Sequence, residues 1–265
     1  MSRTPGFFSK AGAYALAVAL VGLVSAAAQA ASINYGNFGP VPPGVMFQGV
    51  TESSATDTVP LYGPPAPFAT GLDFDPIGFA ATSTNGGSDL TDGQMNFTVM
   101  GNVNLPNVIG IGGISLFEAG DYTLAGFGTP ATSVFAGAII RATVTQINGA
   151  PVIGGPINLT PVNGSVGFSL PGVAIVQPWG LGLFLDVGAQ LAGLGYGPND
   201  FATKVEVVIN NSLVATSQPG TVAFIAKKEF RIDIVPDPGI VPEPASMALA
   251  GVALCGLGFA GRKRR

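Results

Sequence analysis

The stretch KVEVVIN, residues 204–210, places an apolar side chain at every second position. The same period of two occurs in MNFTV, residues 95–99, and in FRIDI, residues 230–234. This period is typical of a strand that buries one face and exposes the other to water. The three stretches therefore predict an antiparallel sheet with one face in a hydrophobic core.

Turn signals separate these stretches from further apolar and β-branched runs. Asn-Gly pairs favour tight hairpins, because both central residues of such a turn must accept positive φ. Between the signals we count about ten to twelve short strands, which is typical of an antiparallel sandwich. The predicted turns are Asn148-Gly149, Asn163-Gly164, the weaker Asn210-Asn211, and Pro219-Gly220.

Helices are expected to be short in the body of the chain. Prolines are dense over residues 31–70, which excludes long helices there and leaves one short strand near 45–51. Residues 134–147 predict a long and more buried strand, and the Gly- and Leu-rich stretch 179–196 is where a short helix fits. We therefore predict an all-β, jelly-roll-like antiparallel β-sandwich over residues 31–235.

Composition excludes several kinds of site. The 265 residues include no histidine, and the single cysteine, Cys255, lies near the C terminus. The body therefore has no disulfide, no His- or Cys-based catalytic group and no His- or Cys-ligated zinc site. Between residues 31 and 240 it carries five cations and fourteen carboxylates, a net charge of −9. This charge argues against nucleic acid or an anionic membrane surface as a partner.

The N terminus has the three parts of a secretory signal peptide. Arg3 and Lys10 form a positive segment, residues 11–24 are apolar, and Ala28 and Ala30 form a small-residue cleavage site. We expect export by the Sec machinery and removal of everything up to Ala30.

The C-terminal stretch combines three features in a fixed order. Pro242-Glu243-Pro244 comes first and keeps the backbone out of helix, because proline fixes φ and lacks an N–H. Residues 245–261 are uncharged and as a helix would span about 26 Å, near the lower limit for crossing a bilayer. A basic end follows and favours the cytoplasmic side. This basic end consists of Arg262, Lys263, Arg264 and Arg265.

Together these features resemble the PEP-CTERM sorting signal of exported bacterial surface and matrix proteins. The resemblance implies that an exosortase, a membrane enzyme with transpeptidase-like chemistry, recognises the tail 242–265 and removes it. It also implies an association with exopolysaccharide. A plain C-terminal membrane anchor is the alternative. A stiff linker, residues 236–241, joins the tail to the body.

Two acidic stretches of the body are candidate sites. Asp73 and Asp75 would point to one face of a strand, either as a calcium or glycosidase pair or as an ordinary exposed edge. Asp89 and Asp92 lie in the Gly-rich stretch 85–93, which predicts either a weak calcium loop or a simple turn. Apart from calcium, no cofactor is expected.

Two further features have structural and functional interpretations. Gly120 predicts a turn capped by Asp121, close to Glu118. Trp179, the only tryptophan, either stacks on a sugar ring or packs against the core, and packing is favoured. No nucleophile, base and orienting group occur together in the pattern of a catalytic site, so we expect no enzyme activity.

The sequence thus predicts an exported cell-surface or extracellular-matrix protein with a structural or interaction role. A carbohydrate-binding module is the first alternative, favoured by an exposed Trp179 or exposed tyrosines. A carboxylate-dependent glycosidase is the second, favoured by a cleft with two carboxylates about 5–10 Å apart. Stretches such as FQGVTESS, residues 47–54, are similar to exported ectodomains that carry the same tail, and these have no assigned activity.

Overall fold

The computed structural model describes residues 31–41, 45–101, 109–171 and 174–238. These residues form fourteen strands and one short helix, more strands than expected because three of them contain only two or three residues. In chain order the elements are β1 Ala31–Val41, β2 Val45–Ser54, β3 Ala66–Phe68, β4 Gly71–Phe74, β5 Ala80–Thr84, β6 Gly87–Met100, β7 Ile109–Gly126, β8 Ser133–Ile147, β9 Ala150–Pro151, β10 Ile157–Asn158, β11 Val162–Ser169, β12 Ala174–Asp186, α1 Val187–Gly193, β13 Ala202–Ser217 and β14 Thr221–Pro238.

The strands form two sheets. Sheet A has the order β1-β2-β6-β13-β8-β10, and β9 and β11 also pair with β8. Sheet B has the order β12-β7-β14-β4-β3, and β5 also pairs with β14. All of these pairs are antiparallel. Both sheets contribute buried side chains to one hydrophobic core. The prediction of an all-β, antiparallel body is confirmed.

The alternating stretches of the sequence lie in central strands. Val207 of β13 is buried opposite Phe97 of β6, and Ile232 of β14 is buried opposite Leu116 of β7. Each of these strands turns every second side chain into the core and the next one toward solvent. Burying one such side chain contributes about 1.5–3 kcal/mol. The period-two pattern therefore determines which face of each sheet is internal.

Two of the predicted turns are confirmed. Asn148 and Gly149 have φ values of 52° and 78° and connect β8 to β9 in a tight hairpin. Gly220 has a φ of 77° in the turn between β13 and β14. Both turns use residues that accept the left-handed region at low cost.

The turn predicted at Asn163-Gly164 is wrong, and so is the weaker one at Asn210-Asn211. The first pair lies inside β11, opposite Ile139 and Ala138 of β8. The second lies inside β13. Gly164 is required for packing, because a Cβ there would lie 2.6 Å from Cδ2 of Leu183. An Asn-Gly pair is thus only a local preference, which pairing with β8 and packing against Leu183 override here.

The N-terminal region holds more strand than the sequence indicated. We expected one strand near residues 45–51, and the structure has β1, β2 and β3 between residues 31 and 70. Because β1 is an edge strand that pairs only with β2, Pro40 near its end removes no ladder hydrogen bond from a second neighbour. Proline density excludes long helix but does not exclude edge strand.

The C-terminal boundary of the body also differs from the sequence-based one. Strand β14 continues to Pro238, so 236–238 of the predicted linker belong to a strand. At this end β14 pairs with β7 alone, because its partners β4 and β5 end earlier. One edge of β14 is free there, and a proline can be accommodated without breaking a ladder.

The short helix expected within residues 179–196 is α1. Asp186 caps it, and its carboxylate accepts a 2.7 Å hydrogen bond from the backbone N–H of Ala189. No helix within the described ranges is long and apolar enough to cross a bilayer. The predicted signal peptide with Ala28 and Ala30, and the tail with the predicted transmembrane helix 245–261, lie outside the described residues.

Replacing Gly149 by Val should destabilise the β8–β9 hairpin. A β-branched side chain at a φ of 78° costs about 1 kcal/mol or more, and we expect the melting temperature to fall by about 3 °C. The matched control is Gly182→Val, since Gly182 lies in β12 and a Cβ there meets nothing within 4 Å. Thermal unfolding of both variants checks this, and an unchanged midpoint for Gly149→Val would contradict the turn geometry.

Candidate functional site

A groove lies on the outer face of sheet A, where β6, β13, β8 and β11 lie side by side. Its volume is about 430 Å³. Strand register places Asp92, Ser212, Gly137 and Ser165 in one row across the four strands. We call this surface the sheet A groove. Its lining residues are Asp92, Gly93, Phe135, Gly137, Ala138, Ile139, Asn163, Gly164, Ser165, Asn210, Asn211 and Ser212.

The floor of the sheet A groove is a glycine. A Cβ on Gly137 would lie 2.9 Å from Cε1 of Phe135 and 3.5 Å from Oγ of Ser212. The Phe135 ring therefore lies across the position that a larger residue would fill, and it is 41% exposed. The groove thus combines one aromatic wall with amide and hydroxyl groups.

Asp92, one of the two calcium candidates, lines the sheet A groove. It lies in β6, and its carboxylate accepts hydrogen bonds of 3.2 Å from Oγ of Ser54 and from the backbone N–H of Thr56. Asp89, also in β6, accepts a 2.7 Å bond from the backbone N–H of Thr82. The simple turn is found at Asn85 and Gly86, between β5 and β6, and is shorter than the predicted stretch because 87–93 lie in β6. Calcium binding by Asp89 and Asp92 stays a prediction.

Of the other acidic pair, Asp73 lies in β4 and Asp75 directly follows its end. Leu72 and Phe74 are buried, whereas Asp73 and Asp75 are exposed. Asp73 lies opposite Arg231 of β14. Within the part of the chain that the structure describes, no three acidic, His or Cys side chains come together as metal ligands do.

Trp179 packs against the core. It is only 5% exposed, and its indole N–H donates a 3.0 Å hydrogen bond to the carbonyl of Ala226. The favoured packing interpretation of this residue fits its burial, and its ring has no face free for a sugar. The aromatic wall of the sheet A groove is instead Phe135, which the sequence did not single out.

The turn predicted at Gly120 and Asp121 is wrong, because both residues lie inside the long strand β7. A Cβ on Gly120 would lie 1.9 Å from the carbonyl oxygen of Ala226, so the glycine allows β7 and β14 to approach. Glu118, two residues earlier, is completely buried. Its place in an alternating series with Ile114 and Leu116 was a signal that this carboxylate points inward.

Glu118 is part of a buried group of four polar side chains, which we call the core polar cluster. Oε2 of Glu118 lies 2.9 Å from Nζ of Lys227. Nδ2 of Asn211 donates a 2.5 Å hydrogen bond to the other carboxylate oxygen. The Tyr62 hydroxyl donates a 2.7 Å hydrogen bond to Oδ1 of Asn211. One carboxylate thus holds an amine and an amide on its two oxygens.

The 2.9 Å contact between Glu118 and Lys227 is an ion pair. Within the described residues neither Oε2 of Glu118 nor Nζ of Lys227 has a hydrogen-bond partner outside this pair. Instead Nζ lies over three aromatic rings, 4.4 Å from the centroid of Phe79, 5.0 Å from Phe230 and 5.5 Å from Tyr62. Three aromatic rings therefore surround the amine, and their faces attract a cation.

Burial determines the proton affinities in the core polar cluster. It lowers the pKa of the Lys227 amine, and the Glu118 carboxylate opposes this shift. It raises the pKa of Glu118, against the opposing effect of Lys227. It also raises the pKa of Tyr62 well above the ordinary value, so the hydroxyl keeps its proton and donates. The cluster therefore favours uncharged side chains more than a surface pair would.

A second buried carboxylate positions Tyr62. Glu52 of β2 accepts a 3.2 Å hydrogen bond from the backbone N–H of Tyr62, a further bond from that of Leu61, and a 2.5 Å bond from the Tyr35 hydroxyl. These bonds hold the segment after β2 against the core. The Tyr62 ring then occupies the space over Gly93, where a Cβ would lie 3.0 Å from the tyrosine hydroxyl.

Lys227 was also missed by the sequence analysis, although the pattern held a signal for it. Ala223 and Ile225 face inward at odd positions of β14, whereas Phe230 faces inward at an even one. The inward-facing positions can change from odd to even only if the strand contains one extra residue. The pairing of β14 with β7 shifts by such a bulge between Lys227 and Glu229. Lys227 precedes this bulge and so points into the core.

Three solved structures are similar in part to this chain. TmCBM61 in complex with β-1,4-galactotriose has 9% identity and a TM-score of 0.19, over 64% of this chain and 73% of that one. The enzymatically active domain of bacteriophage CBA120 tailspike protein 4 has 14% identity and a TM-score of 0.20, over 78% and 19%. The family 11 xylanase from Neocallimastix patriciarum has 11% identity and a TM-score of 0.20, over 78% and 100%. At these TM-scores the likenesses carry no argument about fold or function.

The tail, by contrast, matches a described family. A comparison with curated proteins found no match, but the PEP-CTERM protein-sorting motif matches residues 241–265. The matched range contains the tripeptide Pro242-Glu243-Pro244 and the basic end, both outside the described residues. The resemblance of the tail is confirmed: the chain carries a PEP-CTERM sorting motif, which marks it as an exported protein handled by an exosortase.

Proposed function

We propose that this protein is a cell-surface or extracellular-matrix component whose jelly-roll-like sandwich binds an uncharged polysaccharide through the sheet A groove. The proposal joins the interaction role expected from the sequence with its first alternative, a carbohydrate-binding module. It includes the expected route, which is Sec export, a membrane intermediate, exosortase processing and then release to the surface. Exopolysaccharide in the surrounding matrix is the proposed source of the ligand.

The observation that carries this proposal is the set of side chains in the groove. Asn163 and Asn210 each offer one acceptor and two donors, and Ser165 and Ser212 each offer a hydroxyl that donates or accepts. Adjacent hydroxyls of a sugar ring require this mixture of donors and acceptors. The Phe135 ring supplies an apolar surface for the C–H face of the same sugar.

Charge supports an uncharged ligand over an acidic one. The groove lining contains one carboxylate, Asp92, and no cation. The body as a whole has nine more carboxylates than cations. An anionic polymer would meet repulsion at both levels. A ligand would then be bound through hydrogen bonds and through stacking on the Phe135 ring.

The proposal includes no catalytic activity. Glycoside hydrolysis uses two carboxyl groups about 5–10 Å apart, and the groove lining has the single carboxylate of Asp92. The Asp92 carboxylate is moreover engaged by Ser54 and Thr56. The amide, hydroxyl and aromatic groups of the groove therefore support binding of a sugar rather than its hydrolysis.

Phe135→Ala is expected to weaken polysaccharide binding about fivefold, since an aromatic contact is worth about 1 kcal/mol. The matched control is Phe184→Ala, because Phe184 lies on the outer face of sheet B and is exposed to a similar extent, 48%. Native affinity electrophoresis measures binding with hydroxyethyl cellulose, xylan and galactan as neutral probes and alginate as the anionic one.

The wild-type protein should be retarded by at least one neutral polymer and not by alginate. Phe184→Ala should behave as wild type. The proposal is overturned if none of the neutral polymers retards the protein, or if both phenylalanine variants lose binding equally. Retardation by alginate alone would also overturn it, because the charge argument would then be wrong.

A further inference from the structure

We propose that Lys227 and Asn211 become joined, after folding, by an amide bond between Nζ and Cγ with release of ammonia. Asn211 lies in β13 of sheet A, and Lys227 lies in β14 of sheet B. The bond would therefore connect the two sheets covalently through the core. It would do so in a chain whose body contains no cysteine and so no disulfide.

The Glu118 carboxylate brings the two reacting groups together. Its Oε2 lies 2.9 Å from Nζ of Lys227, and its Oε1 accepts the 2.5 Å hydrogen bond from Nδ2 of Asn211. The nucleophile and the leaving group are thus both within proton-transfer distance of one carboxylate. Holding the reactants in this way can lower the activation barrier of an amide exchange by a large part.

The amine is in an environment that favours its reactive form. Only the uncharged amine is a nucleophile, and the loss of hydration on burial lowers the pKa of Lys227, against the opposing effect of Glu118. Lys227 is 2% exposed. The same enclosure keeps out water, which would otherwise compete for the amide carbon.

The amide is activated from the other side. The Tyr62 hydroxyl donates a 2.7 Å hydrogen bond to Oδ1 of Asn211. Attack at Cγ places negative charge on this oxygen, and a positioned donor stabilises such charge in the transition state. Tyr62 is itself held by Glu52, so the donor is in place before reaction.

The proposed step balances in atoms and protons. The Lys227 ammonium first passes one proton to Glu118, which leaves an amine and a carboxylic acid. Nζ then attacks Cγ of Asn211 and a C–N bond forms. Glu118 gives its proton to Nδ2, the Cγ–Nδ2 bond breaks, and ammonia leaves. Glu118 takes the second proton from Nζ and ends protonated.

The product removes a cost that the ion pair carries. Burying two charges costs hydration free energy, and the attraction between the charges often fails to offset that cost. After the reaction the linked amide and the Glu118 carboxylic acid are both uncharged. The new amide N–H can donate to Glu118, and the amide oxygen keeps its bond from Tyr62. The cluster would then have no charge in the core.

The test is peptide mapping of the full chain, denatured and digested with trypsin. Without the bond, cleavage after Lys204 and Lys227 gives the peptide 205–227 at its full mass. With the bond, Lys227 is blocked, and the product is 205–228, lighter by one ammonia. Backbone cleavage between Asn211 and Lys227 should give no separate fragment ions, because the amide bond closes this part of the peptide into a ring.

Three variants identify the source of the ammonia. Lys227→Arg keeps the charge and the cleavage site but cannot form the amide, and it should give 205–227 at full mass. Glu118→Gln should also abolish the link, because no proton carrier remains. The matched control Lys228→Arg should keep it, since Lys228 is exposed beside Asp121.

Two results would overturn the proposal. One is a wild-type chain that yields only 205–227 at full mass. The other is loss of ammonia that persists in Lys227→Arg, because a succinimide at Asn211 would then be its origin. The wild-type measurement needs no variant to fold, so it decides the question by itself.

Discussion

Replacing Pro242, Glu243 and Pro244 together by alanine should abolish maturation of the C terminus while membrane insertion continues. The two prolines keep the backbone out of helix, so a processing enzyme can bind this segment in an extended form. Alanines would let the helix predicted for residues 245–261 extend through the recognition segment. The hydrophobic length and the basic end would be unchanged, and insertion depends on these.

The measurement is mass spectrometry of the C-terminal peptide from cells with and without the exosortase. The wild-type chain should lack the tail only where the enzyme is present, and the alanine variant should keep it in both. Removing the basic end should instead weaken retention and orientation, since four cations resist transfer through lipid. An intact segment 245–265 on most mature wild-type molecules, in cells that have the enzyme, would reduce the tail to a plain anchor.

Of the single substitutions proposed here for the body of the chain, Lys227→Met should be the most destabilising. Relative to the ion pair that the structure shows, in which no amide bond has formed, it leaves the Glu118 carboxylate buried without a cation, and breaking a buried pair in this way costs about 3–5 kcal/mol. For a body of this size the loss corresponds to a melting temperature lower by about 10 °C. Lys228→Met is the matched control, because Lys228 is exposed and its surface ion pair with Asp121 is worth less than about 1 kcal/mol.

The loss in Lys227→Met should depend on pH. Burial raises the pKa of Glu118 above its ordinary value of 4.5, and without Lys227 only the hydrogen bond from Asn211 opposes that shift. A carboxyl whose pKa is raised on folding is buried at little cost at low pH, where it is protonated. Its contribution to the free energy of unfolding is lost as the pH rises through its pKa in the folded state. The deficit relative to wild type should therefore be small below pH 4.5 and grow above it.

A second substitution should partly restore stability. Glu118→Gln combined with Lys227→Met removes the unpaired charge and keeps an acceptor for Asn211. We expect this double variant to melt above Lys227→Met at neutral pH and to lose the pH-dependent part of the deficit. A double variant that melts no higher than the single one would show that the buried carboxylate is not the cause.

The alternating stretches show how much of the fold follows from local pattern. Val207 and Ile232 are buried at the positions that a period of two predicts, because strand geometry sends successive side chains to opposite faces whatever their partners are. Asn148-Gly149 forms its turn for an equally local reason. Asn163-Gly164 has the same composition, yet it lies in a strand because neighbours on β8 and β12 provide pairing and packing there.

The sorting motif and the sequence patterns were readable from the chain alone, since a processing enzyme reads a linear segment and a strand obeys its own period. The sheet A groove and the core polar cluster were not. The cluster gathers Glu118, Asn211 and Lys227 from three strands of two sheets, and Tyr62 from the segment between β2 and β3. Lys227 and Lys228 are adjacent and identical in the sequence, and only the bulge between two frames of β14 sends one into the core and the other into water. The sequence by itself determined the sorting motif and the inward faces of the strands. The tertiary structure alone decided which polar side chains meet, because register and bulges depend on partners distant in the chain.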